Sequence, residues 1–104
     1  MPADAFDVLA EPIRRRILDE LLTAERSVNE LVGRLDVSQP VVSKHLRVLR
    51  ESGFVSCVTD AQRRIYRIDA SPLRTLDAWL VPYRRLWTGH LDALERHLDR
   101  EADA

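Results

Sequence analysis

Apolar residues recur at helical spacing through most of this chain. Phe6 and Leu9 predict a short first helix. Pro12 suits the first turn of a second helix, where its missing N–H costs little. Ile13, Ile17, Leu18, Leu21 and Leu22 then mark one apolar face at steps of three and four. Arg14, Arg15 and Arg16 lie beside that face and read as its solvated flank. Ser27-Val28-Asn29-Glu30 has the spacing of a capping box, in which the serine hydroxyl accepts from the glutamate N–H while the glutamate reaches back. Val28, Leu31, Val32 and Leu35 give this third helix a buried stripe. Gly33 falls inside it. A mid-helix glycine is costly, so its presence predicts another helix packed closely against it.

Residues 36–53, DVSQPVVSKHLRVLRESG, carry the densest set of signals. Asp36-Val37 reads as a turn, Ser38 as an N-cap, and Pro40 as a first-turn proline. At 100° per residue, Val42, Leu46 and Leu49 share a narrow arc, with Val41 and His45 at its edge. Pro40, Ser43, Lys44 and Arg47 occupy the opposite side. Gly53 is the stop. Two helices joined by a short turn, the second one two-faced, predict a helix-turn-helix over about residues 27–53. A helix with one apolar face and one face of small polar and basic groups is built to lie in the major groove of DNA.

After Gly53 the spacing changes. Phe54–Thr59 and Arg64–Ile68 are rich in β-branched and aromatic residues, and the polar stretch Asp60–Arg63 joins them. This predicts a β-hairpin, a wing over about residues 54–69, with Arg63 and Arg64 at its tip. Cys57 in its first strand reads as a small apolar packing residue, the commoner role of a lone cysteine; a redox sensor is the alternative. Ser71-Pro72 then begins a long helix over about 71–99, as cap and first-turn proline. Leu73, Leu76, Leu80, Tyr83, Trp87, Leu91, Leu94 and Leu98 form a seam wide enough to face both the domain and a partner chain. Pro82 interrupts it, either kinking one helix or starting a second. Trp79, Tyr83 and Trp87 make an aromatic stripe of the kind that anchors interfaces.

A chain of 104 residues with 45% hydrophobic content supports one domain with a small core, a size class that often gains stability by dimerising. No apolar run of about 18 residues is present, and the N-terminus lacks the pattern of a secretory signal. One cysteine fits a reducing cytoplasm. The net charge of −1 argues against a polyanion as partner until its distribution is considered. Residues 39–67 hold Lys44, Arg47, Arg50, Arg63, Arg64 and Arg67 against Glu51 and Asp60, net +4, between flanks of −3 and −2. A basic middle between acidic ends is an electrostatic footprint on one face. There is no glycine-rich phosphate loop, nucleophile elbow or supported His–carboxylate pair, so nothing suggests an enzyme or a cofactor. Asp92, Glu95 and Asp99 read as a solvated helix face.

The fold class is therefore mainly α with a β-hairpin wing, a winged helix-turn-helix. Gln39 has the geometry for a bidentate contact to adenine, Lys44 for guanine or phosphate, Ser43 for a base edge or phosphate and Pro40 for a thymine methyl. Ser38 and Arg47 suit the DNA backbone; Arg63 and Arg64 suit phosphate or the adjacent minor groove. The runner-up reading, a dimeric winged-helix module that docks a protein, is disfavoured by the basic middle stretch.

Ser38-Gln39-Pro40, Val42-Ser43-Lys44-His45-Leu46 and Leu49-Arg50-Glu51-Ser52-Gly53, with the wing and the long last helix, resemble the ArsR/SmtB family of bacterial winged-helix repressors over nearly the whole chain. The resemblance implies a homodimer held by the first and last helices, here Phe6 and Leu9 with Leu76, Leu80, Tyr83, Trp87, Leu91 and Leu94. It also implies repression, often of the protein's own operon, by covering a promoter on double-stranded DNA. The family's metal sites do not carry over. Where thiol-type members have two cysteines this chain has Ser27 and Asn29. Where others ligate zinc-like ions it has Asp77, Trp79, His90 and Ala93, two ligands of four, too few for a closed tetrahedral site. His90 and His97, seven apart, read as solvent or interface residues. No metal site is expected, and no effector is written in recognisable ligands.

Overall fold

A computed structural model describes the backbone of residues 4–102 and their side chains except at 90–93 and 102. The elements run α1 (Ala5–Ala10), α2 (Pro12–Thr23), β1 (Arg26–Ser27), α3 (Val28–Leu35), α4 (Gln39–Glu51), β2 (Val55–Asp60), β3 (Arg63–Ile68) and α5 (Ser71–Ala102). This is the winged helix-turn-helix that the pattern predicts, with one more strand.

Local chemistry sets the helix ends. The Asp4 carboxylate accepts from the Asp7 N–H at 2.9 Å to open α1, and Pro12 begins α2. The Ser27–Glu30 capping box forms in both directions, each bond 3.2 Å. Asp36 ends α3 in the left-handed region (φ 54°), its N–H bonded to the Val32 carbonyl; aspartate tolerates that conformation better than most residues. Ser38 stands at the N-cap of α4, although its hydroxyl makes no capping bond. Gly53, at φ +79°, closes α4 in a Schellman motif. Its N–H bonds the Arg50 carbonyl at 3.1 Å, and the Phe54 N–H bonds the Leu49 carbonyl at 2.8 Å. Leu49 and Phe54, both fully buried, supply the apolar contact of that motif.

The sheet has three antiparallel strands in the order β1-β3-β2. The hairpin register runs from Val55↔Ile68 to Asp60↔Arg63, with Ala61 in the turn at φ 57°. The unexpected β1 pairs Arg26 with Tyr66 and Ser27 with Ile65. Two residues carry no periodicity to detect. Ser27 is extended because an N-cap must be, and that geometry lets the same residue join the sheet.

The core gathers Val8 of α1, Ile17, Leu18 and Leu21 of α2, Leu31 and Leu35 of α3, Val42, Leu46 and Leu49 of α4, then Phe54, Val55 and Tyr66. Leu22, expected on the apolar face of α2, is 76% exposed, because at 100° per residue it falls outside the arc that Ile17, Leu18 and Leu21 bury. The Arg14–Arg16 run is not merely a solvated flank. The last carbonyls of a helix lack intrahelical partners, and these guanidiniums supply them. Arg14 and Arg15 reach the Val8 and Leu9 carbonyls at the end of α1, and Arg16 reaches Leu35 at the end of α3.

Gly33 also departs from expectation. It is exposed, and a Cβ there meets nothing within 4 Å. No helix packs on it. Gly33→Ala is therefore expected to stabilise the fold by about 0.5–1 kcal/mol, through helix propensity and a less disordered unfolded chain. Urea denaturation measures this; a lower midpoint at unchanged slope would show that the glycine is needed.

α5 is one helix of 32 residues, and Pro82 lies inside it. Ser71 is its first residue rather than its cap, and the Asp69 carboxylate accepts from the Ser71 N–H at 2.9 Å. That bond holds the Asp69 carboxyl below the usual aspartate value. Leu73 and Leu76 pack on the core. At 1.5 Å per residue the helix is about 48 Å long, so its second half extends past the body. The radius of gyration is 18.5 Å, against about 13 Å for a compact domain of this length. Among the described residues no helix is long and apolar enough to cross a membrane.

Candidate nucleic-acid interface

The exposed flank of α4 faces the wing across a concavity of about 440 Å³. Gln39, Ser43, Arg47 and Arg50 line it from α4, Arg64 and Tyr66 from β3, and Val28 from the start of α3. Three guanidiniums thus share one hollow with a carboxamide and a hydroxyl. Gln39 Nε2 donates to Ser43 Oγ at 3.1 Å, one helical turn away. Arg47 Nε donates to Glu51 Oε1 at 3.0 Å, and both side chains are largely exposed. Such a pair is weak in water and readily exchanged for a phosphate.

Of the sequence-predicted residues, the hollow unites Gln39, Ser43, Arg47 and Arg64. Ser38, Pro40 and Lys44 are exposed near the start and outer side of α4 and do not line it. Arg50 was missed. Eleven residues after Gln39, at 100° per residue, it lies within roughly 20° of that side chain, so the wheel that placed Gln39 held the signal.

The two wing arginines separate. Arg64 enters the concavity. Arg63 Nη2 donates instead to Glu30 Oε1 at 2.8 Å, the oxygen that also accepts from the Ser27 N–H. Glu30 is held below the usual carboxylate range by its bonds to the Ser27 N–H and hydroxyl, with Arg63 adding to the effect. Ser27 and Asn29, where thiol-type members carry cysteines, border a smaller hollow of about 270 Å³ with Gln62, Arg63 and Arg64.

Behind the hollow, Tyr66 is buried opposite the half-buried Cys57. Burial raises the phenol pKa and Cys57 adds to it, while Arg64 pulls the other way. Cys57 packs against the core. On the far side of α4, His45 is 7% exposed, and its Nδ1 accepts from Arg14 Nε at 3.2 Å. Burial lowers the imidazole pKa, as do Arg14 and Lys44; Glu11 opposes them.

A second cluster is apolar. Phe6 of α1 meets Trp79 edge-on at 5.3 Å between ring centroids, and Trp79 meets Tyr83 at 4.8 Å. Trp79, Tyr83, Leu86, Trp87, Leu94 and Leu98 are each 43–60% exposed. Leu9 and Leu76 turn partly into the protein's own core and Leu80 is half-buried. The side chain of Leu91 lies outside the described residues, as do those of His90 and Ala93. Asp77 forms an ion pair with Arg84. Among the described residues no three His, Cys, Asp or Glu side chains are placed to hold a metal ion.

Residues 11–56 match the family model described as bacterial regulatory protein, arsR family. The HTH-type transcriptional regulator Rv2034 of Mycobacterium tuberculosis is 35% identical over 102 residues, 98% of this chain and 92% of its own. The HTH-type transcriptional repressor SmtB of the same species is 40% identical over 60 residues, 58% of this chain and 44% of its own. Among solved structures, the fold is similar to the ArsR family transcriptional regulator RHA00566, with a TM-score of 0.69 and 31% identity over 81% of this chain and 87% of that one. It is also similar to a possible transcriptional regulator for arsenical resistance, with a TM-score of 0.71 and 38% identity over 78% and 84%.

Proposed function

The chain belongs to the arsR family of bacterial regulatory proteins, and from that we propose that it represses transcription as a homodimer seated on a palindromic operator in a promoter, its own among the candidates. The observation that carries this reading is the juxtaposition of Gln39, Ser43, Arg47, Arg50 and Arg64 around one hollow. A groove of DNA offers base edges at its floor and phosphates at its rim. Gln39 and Ser43 are the pair for base edges, and the arginines are the pair-wise clamps for phosphates. Lys44 and Pro40 extend the contact on the outer side of α4, to guanine or phosphate and to a thymine methyl, and Ser38 holds backbone. Arg63, bound to Glu30, braces the wing so that Arg64 meets its phosphate.

A twofold axis through the α1 and α5 faces places two copies of α4 in successive major grooves, roughly 34–36 Å apart. Members of this family regulate transcription, and the proposed work of this surface is physical readout of the DNA.

The test is binding to DNA from immediately upstream of the protein's own gene. Gln39→Ala is expected to weaken the cognate site by about 1–3 kcal/mol while leaving unrelated DNA unaffected. Arg64→Ala is expected to weaken every sequence alike and to reduce the slope of log affinity against log salt by about 0.9, one phosphate. If neither change alters binding, α4 and the wing are not the reading surface.

A further inference from the structure

The short helix α1 ends with carbonyls that its own six residues do not satisfy. Arg14, from the first turn of α2, donates through Nη1 to one of them, the Val8 carbonyl, at 3.5 Å. Through Nε the same guanidinium donates to His45 Nδ1 at 3.2 Å. One planar group therefore joins α1, α2 and α4. His45 lies on the side of α4 away from Ser43 and Arg47 and is 7% exposed. α1 in turn touches the aromatic face of α5 through Phe6 and Trp79. The chain of contacts leads from the apolar face proposed to join two copies to the helix proposed to read DNA.

We infer that Arg14 and His45 are a positioning pair, which sets the angle of α4 relative to α1 and so relative to the other copy's α4. This rests on the DNA-reading function proposed above. Arg14 and His45 touch no DNA in this arrangement. They act through the pose of Gln39, Ser43 and Arg47 on the opposite side of the same helix.

The bond has a required protonation state. Arginine only donates, so His45 Nδ1 must be an unprotonated acceptor, with the ring proton on Nε2. A proton on Nδ1 removes the acceptor and sets two cations face to face in a half-buried site. The charged groups facing His45 are Arg14 from α2, Glu11 from the α1–α2 junction and Lys44 from α4 itself. Glu11 favours the imidazolium, while burial and the two cations disfavour it. The folded-state pKa is thus depressed below the 6.5 of a free histidine. The stability this contributes is fully present above about pH 6.5 and is lost as pH falls through the folded value. The effect on DNA binding has a distinctive sign. Added positive charge ordinarily tightens binding to a polyanion, whereas breaking a positioning pair weakens it.

The experiment measures affinity of the full chain for a duplex from upstream of its own gene between pH 7.5 and 5, with circular dichroism and sedimentation at each pH. For the wild type, affinity is expected to fall about tenfold as the pH drops through the depressed His45 value, the worth of one hydrogen bond to a charged group, while helical signal and oligomeric state persist. His45→Gln keeps an acceptor for Arg14 and does not titrate, so its profile is expected to be flat. Arg14→Gln is expected to bind about tenfold more weakly at pH 7.5, with a flattened profile. A wild-type affinity that holds or rises in acid overturns the inference, as does a His45→Gln profile that matches wild type. Loss of helical signal in step with affinity also overturns it, because the effect is then one of stability. Failure of the wild type to bind at pH 7.5 overturns the DNA-reading function itself.

Discussion

Trp87→Asp is expected to turn the proposed dimer into a monomer at micromolar concentration and, with it, to abolish tight binding to a palindromic site. Trp87 sits on α5 beyond the reach of the core, 45% exposed, in one narrow arc with Tyr83, Leu94 and Leu98. A soluble protein rarely leaves so long an apolar face in water. A twofold interface counts each side chain twice. At about 1.5–3 kcal/mol for a fully buried large apolar side chain, removing two tryptophans costs about 3–6 kcal/mol of association. That is a factor of about 10²–10⁴ in the dimerisation constant, and the buried carboxylates add to it. DNA affinity falls in parallel, since one half-site alone holds one reading helix. Sedimentation velocity on the variant gives the answer. A species that sediments as the wild type does would move the interface away from α5.

Phe54→Ala is expected to be the most damaging single truncation in the body, at about 3–5 kcal/mol. Phe54 is fully buried and the largest of the fully buried side chains. Its position gives it a second role. It follows Gly53 in the Schellman turn, with its N–H on the Leu49 carbonyl and its own carbonyl accepting from Asp69. It therefore holds the end of α4, the first residue of the wing and the approach to α5 together. A domain of this size has about 5–15 kcal/mol in total, so the variant loses a large share of it. The expected result is a fall in melting temperature of more than 10 °C, at about 4–8 °C per kcal/mol. A loss under 1 kcal/mol would mean that the junction is held by the backbone bonds alone.

Much of the candidate site is legible in the sequence. The two faces of α4, the glycine stop, the capping box and the change of period at Phe54 are local signals, because backbone sterics and the 3.6- and 2-residue repeats act between near neighbours. They placed Gln39, Ser43, Arg47 and Arg64 on elements that the structure brings together. What the sequence leaves unread shares a different cause. Arg14 and Arg16 looked solvated because their partners, His45 and the Leu35 carbonyl, stand 31 and 19 residues away. Gly33 looked like a contact because a helical glycine has a cost, and only the space around it shows that nothing comes near. Arg63 and Arg64 looked equivalent because adjacency says nothing about which one finds Glu30.

By itself, then, the sequence determined the order and type of the elements, the apolar face of each, and the family to which the chain belongs, since all of these are written in spacing along the chain. Tertiary structure alone decided that β1 joins the wing, that Arg50 enters the concavity, that Arg63 leaves it, and that Arg14 ties α1 to α4. Those outcomes depend on which groups meet across long loops. A hydrogen bond between distant residues leaves no period in the sequence to be read.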